Sequence, residues 1–177
     1  MFLIPGVAIA LVTFPGVIVH EVAHQLFCRI CRVAVFEVCY LRLKNPVGYV
    51  THEPPSTPVH HLYIGIGPFV LNSILGILIS FPAAIPVFKF ESATILDYFL
   101  IWLGVSVAMH SFPSSGDAES ISNGIRSPST PRWLKLIGTP VVELIYLGAW
   151  GSSFWLDLFY GIGIATLLPN LFIKLLT

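Results

Sequence analysis

The sequence predicts an all-α polytopic membrane protein with about five transmembrane helices and a small cytosolic β-hairpin after the first. Of its 177 residues, 55% are hydrophobic and only 10% are charged, whereas soluble domains average about 45–50% apolar and 25% charged residues. The apolar residues also lie in five long stretches, and about 20 such residues cross a bilayer as a helix. Composition and spacing therefore point to the same class.

The five predicted helices are apolar runs with few charges. The first has no positively charged leader and no small-residue cleavage site, so we expect a retained helix and not a secretory signal. The fourth is the shortest. The helices are predicted at residues 2–29, 62–88, 93–112, 134–150 and 153–176.

The basic residues predict the orientation, because Lys and Arg are enriched in cytoplasmic loops. If the chain crosses the membrane five times, nearly all of the Lys and Arg residues fall on one side. That side is then cytosolic, which predicts an outside N-terminus and a cytosolic C-terminus. Only Lys89 lies on the opposite side. The residues on the predicted cytosolic side are Arg29, Arg32, Arg42, Lys44, Arg126, Arg132, Lys135 and Lys174.

Two loops separate the predicted helices on the cytosolic side. In the first, "VFEVCYLRL" and "GYVTHE" flank the turn-like "KNPVG", which predicts the hairpin. The second, residues 113–132, is rich in Pro, Gly and Ser, and we expect a polar loop. Without an internal repeat or a second soluble region, residues 1–177 are predicted to form one membrane-embedded domain, with a core at 1–120 and additional helices at 134–176.

Charge argues against nucleic-acid binding, and the cysteine spacing argues against a four-cysteine structural zinc site. Nine basic and nine acidic residues give a net charge of zero, and no basic stripe is present to neutralise phosphates, so we expect no nucleic-acid partner. Cys28 and Cys31 form one CxxC without a second. We therefore expect these thiols and Cys39 to be reduced, with palmitoylation or an auxiliary metal site as alternatives.

The stretch "HEVAH", residues 20–24, places ionisable groups inside the first apolar helix. His20 and His24 are four residues apart, so they lie on one face of a helix and can bind one metal ion. Glu21 lies beside them, as in the HExxH motif, in which two histidines hold Zn²⁺ and the glutamate is the general base. Such groups are costly in a bilayer and are retained mainly where they function.

A catalytic zinc site needs a third protein ligand and an open position. Asp117 follows a helix that Pro113 and Gly116 interrupt, and such backbone can return to membrane depth if it is buried in protein. His110 is the rival candidate, seven residues earlier. The remaining candidates by residue type are His52, His60 and His61.

Helix geometry predicts that several polar residues lie at one depth. A rise of 1.5 Å per residue places His20, Asn72 and Glu143 about 14–15 Å inside the predicted cytosolic boundary. We therefore expect them to converge in the cytosolic half of the membrane. Glu143 has two interpretations, a functional carboxyl near the histidines or a protonated group that bonds to a neighbouring helix.

The sequence resembles the site-2 protease family of intramembrane zinc metalloproteases over about residues 15–120. Three pieces carry the resemblance. "HEVAH" lies on a predicted spanning helix, "GPFVLN" at 67–72 is similar to the family's Gly-Pro-x-x-(x)-Asn element, and "FPSSGD" at 112–117 stands where the family carries a Pro-containing turn and its ligating aspartate. The HExxH alone is highly specific.

The resemblance implies a zinc-dependent intramembrane endopeptidase that hydrolyses transmembrane or membrane-proximal segments of membrane proteins. It implies one Zn²⁺ per chain with His20, His24 and Asp117 as ligands, Glu21 as the catalytic base, and Asn72 as a catalytic group near the substrate or its oxyanion. One departure is Ala118 after Asp117, where the family usually has Gly.

Two other function classes use the same residues. A membrane zinc carrier or sensor would need the histidines but not Glu21 between them, and a catalytically silent scaffold would tolerate Gln at position 21. For a protease, we expect residues 48–52 of the hairpin to bind an extended substrate by strand addition.

Overall fold

The computed structural model describes residues 6–90, 92–128, 130–152 and 154–176. Over these residues the protein is mostly helical and has one two-stranded antiparallel sheet, as predicted. A π-helical segment, Gly163–Leu167, joins the last two helices. The elements in chain order are α1 Gly6–Val12, α2 Phe14–Ile30, β1 Val35–Cys39, β2 Tyr49–His52, α3 Pro58–Phe88, α4 Ile95–Met109, α5 Ser115–Arg126, α6 Arg132–Ser152, α7 Leu156–Ile162 and α8 Leu168–Leu176.

Two helices among the described residues are long and apolar enough to cross a bilayer. They are Pro58–Phe88 and the continuous stretch Leu156–Leu175. Helix α4 is also apolar but has only 15 residues. These helices fall on three of the predicted spans, at 62–88, 153–176 and 93–112.

The first predicted helix is divided in two, which corrects the single helix expected at residues 2–29. Helix α1 ends at Val12 and α2 begins at Phe14, with Thr13 between them. Pro15 has no N–H to donate, so the helical hydrogen-bond ladder is interrupted there. Residues 2–5 of the predicted span lie outside the described residues.

The expected polar loop at 113–132 is wrong, because it contains helix α5. Ala118, Ile121 and Ile125 recur at helical spacing, are buried, and pack against Val142 and Ile145 of α6. Glycine and serine obscured this pattern in the sequence. The signal that could have revealed it is the Ser-x-x-Asp start of the helix, followed by the buried positions.

The predicted hairpin is confirmed as a small antiparallel sheet. Its register runs from Val35 opposite His52 to Cys39 opposite Tyr49. The Tyr49 hydroxyl donates a hydrogen bond to Glu37 Oε1 at 2.5 Å, and this bond raises the pKa of Tyr49. Both strands contact α2, so the hairpin lies against the helix that carries HEVAH.

None of the three cysteines forms a disulfide, and their reduced, unmodified state stays a prediction. Cys28 and Cys31 are buried and form an apolar cluster with Ile64 of α3. They therefore pack the end of α2 against α3. Cys39 is partly exposed on the hairpin.

Helices α3 and α4 approach each other closely at small residues. A Cβ atom on Gly104 would lie 2.8 Å from the carbonyl oxygen of Gly76 and 2.8 Å from Cβ of Ser80. Both neighbours belong to helix α3, whose backbone cannot move away cheaply. This contact fixes the separation between the helices that flank the site described below.

We predict that Gly104→Ala destabilises the protein by about 1–3 kcal/mol, the usual cost of forcing extra methyl groups into a packed interior. Thermal unfolding in detergent, followed by circular dichroism, measures the effect. Gly163→Ala is the matched control, because a Cβ atom there would meet nothing within 4 Å. Equal stability of the two variants would contradict the close α3–α4 contact.

Candidate metal centre

Three potential ligand atoms converge between α2 and the start of α5. The Nε2 atoms of His20 and His24 lie 3.1 Å apart, and Asp117 Oδ1 lies 3.6 Å from His24 Nε2. All three ligand atoms lie within 4.8 Å of one another. The structure thus brings together the three residues predicted as ligands.

Both histidines are oriented by backbone carbonyls. His20 Nδ1 lies 2.6 Å from the carbonyl oxygen of His110, and His24 Nδ1 lies 3.1 Å from that of Ile64. A carbonyl only accepts, so each Nδ1 carries the proton and each Nε2 presents a lone pair. This is the arrangement by which outer groups fix the tautomer of metal-binding histidines.

The resulting donor set fits a cation. Two Nε2 lone pairs facing each other at 3.1 Å repel, and neither nitrogen has a proton to share with the other. The Asp117 carboxylate adds negative charge beside them. Two imidazoles and one carboxylate would supply three protein ligands, the number that catalytic zinc sites use.

The start of α5 orients Asp117. Its Oδ2 atom accepts hydrogen bonds from both the backbone N–H and the hydroxyl of Ser114, each at 2.7 Å. The Ser114 hydroxyl in turn accepts from the Asp117 backbone N–H at 3.2 Å. Because this capping box occupies Oδ2, Oδ1 remains available on the side of His24.

The end of α4 contributes to the same centre. In a continuous helix the His110 carbonyl would accept from the backbone N–H of Ser114, four residues later. Helix α4 instead ends at Met109, Pro113 follows, and the Ser114 N–H goes to Asp117. The His110 carbonyl is therefore free to accept from His20 and, at 3.0 Å, from Asn72 Nδ2.

The His110 side chain does not belong to the ligand group. Its Nδ1 atom donates to the carbonyl of Ser106 at 2.9 Å, and its ring borders a cavity that does not include Asp117. Between the two candidates for the third ligand, the geometry favours Asp117. His52 borders the site with Nδ1 directed at the Glu53 carbonyl, and His61 bonds to Ser120.

Glu21 lies between two cavities. One, of about 280 Å³, is lined by the three candidate ligands and by residues of the hairpin. Gly48 lies so near that a Cβ atom on it would be 2.7 Å from Glu21 Oε1. The other, of about 160 Å³, lies on the side of α4 and α7 and is bordered by Phe112 and Asp157. The buried carboxyl can therefore meet small molecules from two sides.

Asn72 and Glu143, the other two residues expected to converge with His20, have different surroundings. Asn72 is fully buried, its amide nitrogen donates to the His110 carbonyl, and it borders neither cavity of Glu21. Asn72 therefore shares an acceptor with His20, and its expected role beside the substrate stays a prediction. Glu143 is exposed on α6 and borders a different cavity with Arg126, so the expected convergence with the histidines is wrong.

Some contributors to the site were missed from the sequence. Ser114 carries a readable signal, the Ser-x-x-Asp spacing of a helix start. The backbone carbonyls of Ile64 and His110 have no sequence signal, because every residue has a backbone carbonyl whatever its side chain. Gly48 was noted only as part of the hairpin.

Comparisons of the chain with protein-family models, with curated proteins and with solved structures gave no match.

We predict that Asp117→Asn weakens zinc binding by at least about 100-fold, the upper end of losses for groups behind the ligands. Asparagine keeps an acceptor for the Ser114 cap but removes the charge. Competition with a chromophoric chelator measures the dissociation constant of the purified protein.

The matched control is Asp97→Asn. Asp97 forms the same capping box at the start of α4, accepting at 2.7 Å from the N–H and hydroxyl of Thr94. We expect unchanged zinc binding there and in His110→Ala, which keeps the backbone carbonyl. Loss of zinc in His110→Ala with retention in Asp117→Asn would reverse the assignment of the third ligand.

Proposed function

We propose that this chain is a zinc-dependent intramembrane endopeptidase of the site-2 protease kind, which hydrolyses peptide bonds in transmembrane or membrane-proximal segments of membrane proteins. The observation that carries the proposal is the convergence of His20, His24 and Asp117, with buried Glu21 next to the first ligand. Metal-assisted hydrolysis requires a metal site with room for a water molecule and a carboxyl beside it that can act as the base.

The mechanism assigns each group one task. His20, His24 and Asp117 would hold Zn²⁺, which supplies Lewis acidity to polarise the scissile carbonyl and to acidify water. Glu21 accepts a proton from the attacking water and delivers it to the leaving amine as the C–N bond breaks. The products are a new carboxyl terminus and a new amino terminus.

Glu21 also favours a protease over the two alternatives. A zinc carrier needs ligands along a path, and among the described residues His20, His24 and Asp117 form the only group of three ligating side chains close enough to hold one ion. A silent scaffold has no need for a carboxyl that borders two cavities. A single metal site with a carboxyl at the border of two cavities is what a metalloprotease with a general base requires.

The surface of the chain supports a membrane setting. Large apolar side chains are exposed on several helices, among them Ile95 at 90%, Leu136 at 78% and Leu78 at 62% exposure. Large apolar side chains exposed in such number are expected where a surface contacts lipid or protein. With the two candidate spans, this exposure supports association with a bilayer. The number of crossings and the orientation are part of the proposal: five crossings, an outside N-terminus, a cytosolic C-terminus and the site in the cytosolic half.

The hairpin supports a way of holding the substrate. A helical substrate must unwind locally before attack, because its peptide groups are bonded within the helix. Strand β2 borders the ligand cavity, and within the described residues its one paired neighbour is β1. Its other edge can accept an extended segment by strand addition.

We predict that Glu21→Gln lowers hydrolysis by about 10²–10⁴-fold, the usual contribution of a general base, and leaves zinc binding intact. Mass spectrometry of membrane-spanning peptides incubated with the reconstituted protein measures the cleavage. Glu119→Gln is the control, since Glu119 is exposed on α5 near the site. Full activity of Glu21→Gln would refute this role, and zinc-loaded wild type without any cleavage would favour the carrier or scaffold.

We also predict that deletion of residues 48–52 abolishes cleavage of these peptides, because it removes the strand beside the ligand cavity. Zinc binding by the deletion variant reports that the helical site is still formed. Undiminished cleavage would end the strand-addition hypothesis.

A further inference from the structure

We propose that Pro68 and Asn72, within "GPFVLN", are positioning residues for the two metal-binding histidines, and that each acts through a backbone carbonyl. The proposal rests on the proposed function only in taking His20 and His24 as zinc ligands. In this proposal the segment orients the metal ligands and does not contact the substrate.

Pro68 accounts for the acceptor of His24. The carbonyl of Ile64, inside helix α3, would ordinarily accept from the backbone N–H four residues later. That residue is Pro68, which has no N–H and whose ring pushes the carbonyl of residue i−4 aside. The freed oxygen lies 3.1 Å from His24 Nδ1.

Asn72 accounts for the fixed position of the acceptor of His20. The His110 carbonyl follows the last residue of α4 and has lost its helical donor to the Asp117 cap. Its oxygen accepts from Asn72 Nδ2 at 3.0 Å and from His20 Nδ1 at 2.6 Å. A carbonyl oxygen has two lone pairs, so the two bonds use it fully.

One face of α3 therefore serves both histidines. Pro68 and Asn72 are four residues apart, hence one helical turn, and both are fully buried. Gly67 completes the arrangement, because a Cβ atom there would overlap the ring of Phe27 on α2. The glycine lets α2 approach, the proline frees one carbonyl, and the asparagine holds the other.

A position beside the substrate predicts different contacts. A donor to the oxyanion must reach the space above the metal, whereas the Asn72 amide nitrogen is bonded to a backbone oxygen behind His20. The two roles also differ in what they change. A positioning residue alters metal affinity and ligand geometry, and an oxyanion donor alters the rate alone.

The test measures metal binding by the full-length protein in detergent. Apo protein is titrated with zinc against a chromophoric chelator, and with Co²⁺ to record the d–d absorption bands, which report ligand geometry. We expect Pro68→Ala and Asn72→Leu to weaken zinc binding by about 10–100-fold, as for other groups that orient ligands, and to shift the Co²⁺ bands. Asn72→Ala, which also removes the amide donor and adds no polar group, repeats the test if the leucine variant does not fold.

The same helix offers matched controls. Pro82 also lies inside α3, so Pro82→Ala restores a backbone N–H away from the site. Ser80 is buried like Asn72 but bonds only to carbonyls of its own helix, those of Gly76 and Ile77, so Ser80→Ala removes a buried polar group at no cost to the histidines. We expect both controls to bind zinc and Co²⁺ as the wild type does.

The outcomes separate this proposal from the proposed function. Unchanged zinc affinity and Co²⁺ bands in Pro68→Ala and the Asn72 variants would overturn the positioning role, and lost hydrolysis with unchanged binding would return Asn72 to the substrate side. Weakened binding in a protein that cleaves no peptide would uphold the positioning role and refute the protease. A wild type that binds no zinc would refute both.

Discussion

The site depends on a requirement of buried imidazoles. Two Nε2 atoms can bind one ion only if each ring keeps its proton on Nδ1. Each Nδ1–H must then donate a hydrogen bond to an acceptor, since a buried donor without a partner costs about 1–3 kcal/mol. An interior helical carbonyl already accepts from the N–H four residues ahead, so only its second lone pair is left for a side chain. The structure meets this requirement with the carbonyls of Ile64 and His110, at 3.1 and 2.6 Å.

Both carbonyls are available because a helix is locally interrupted, and this links distant parts of the chain. The interruption at Pro68 serves His24, and the break between α4 and α5 serves His20. The same break gives the Ser114 N–H to Asp117, which presents its other oxygen to the histidines. Helices α2, α3, α4 and α5 are therefore fixed around one point by backbone groups, and close contacts such as Gly104 on Gly76 hold that geometry.

The sequence predicted the parts of this arrangement that have a side-chain signature. Periodicity and composition predicted most of the helices and the hairpin, and the spacing of His20, Glu21 and His24 predicted their shared face. The same reasoning failed where the path of the backbone determines the secondary structure or the direction of a side chain. It treated 113–132 as a loop because Gly and Ser dilute the apolar pattern of α5. It judged Glu143 by its depth alone, and depth does not determine which neighbour a side chain faces.

The choice of carbonyls as acceptors follows from the charge of the site. Outer partners of metal-binding histidines are often carboxylates, but here Glu21 and Asp117 already place two acidic groups in a buried region. A further carboxylate would have to be removed from water at a cost of several kcal/mol and would raise the repulsion between the acids. A carbonyl freed by proline adds a strong acceptor without adding charge. In a chain with only 10% charged residues and 14 prolines, helix interruption supplies polar groups where ionisable side chains are most expensive.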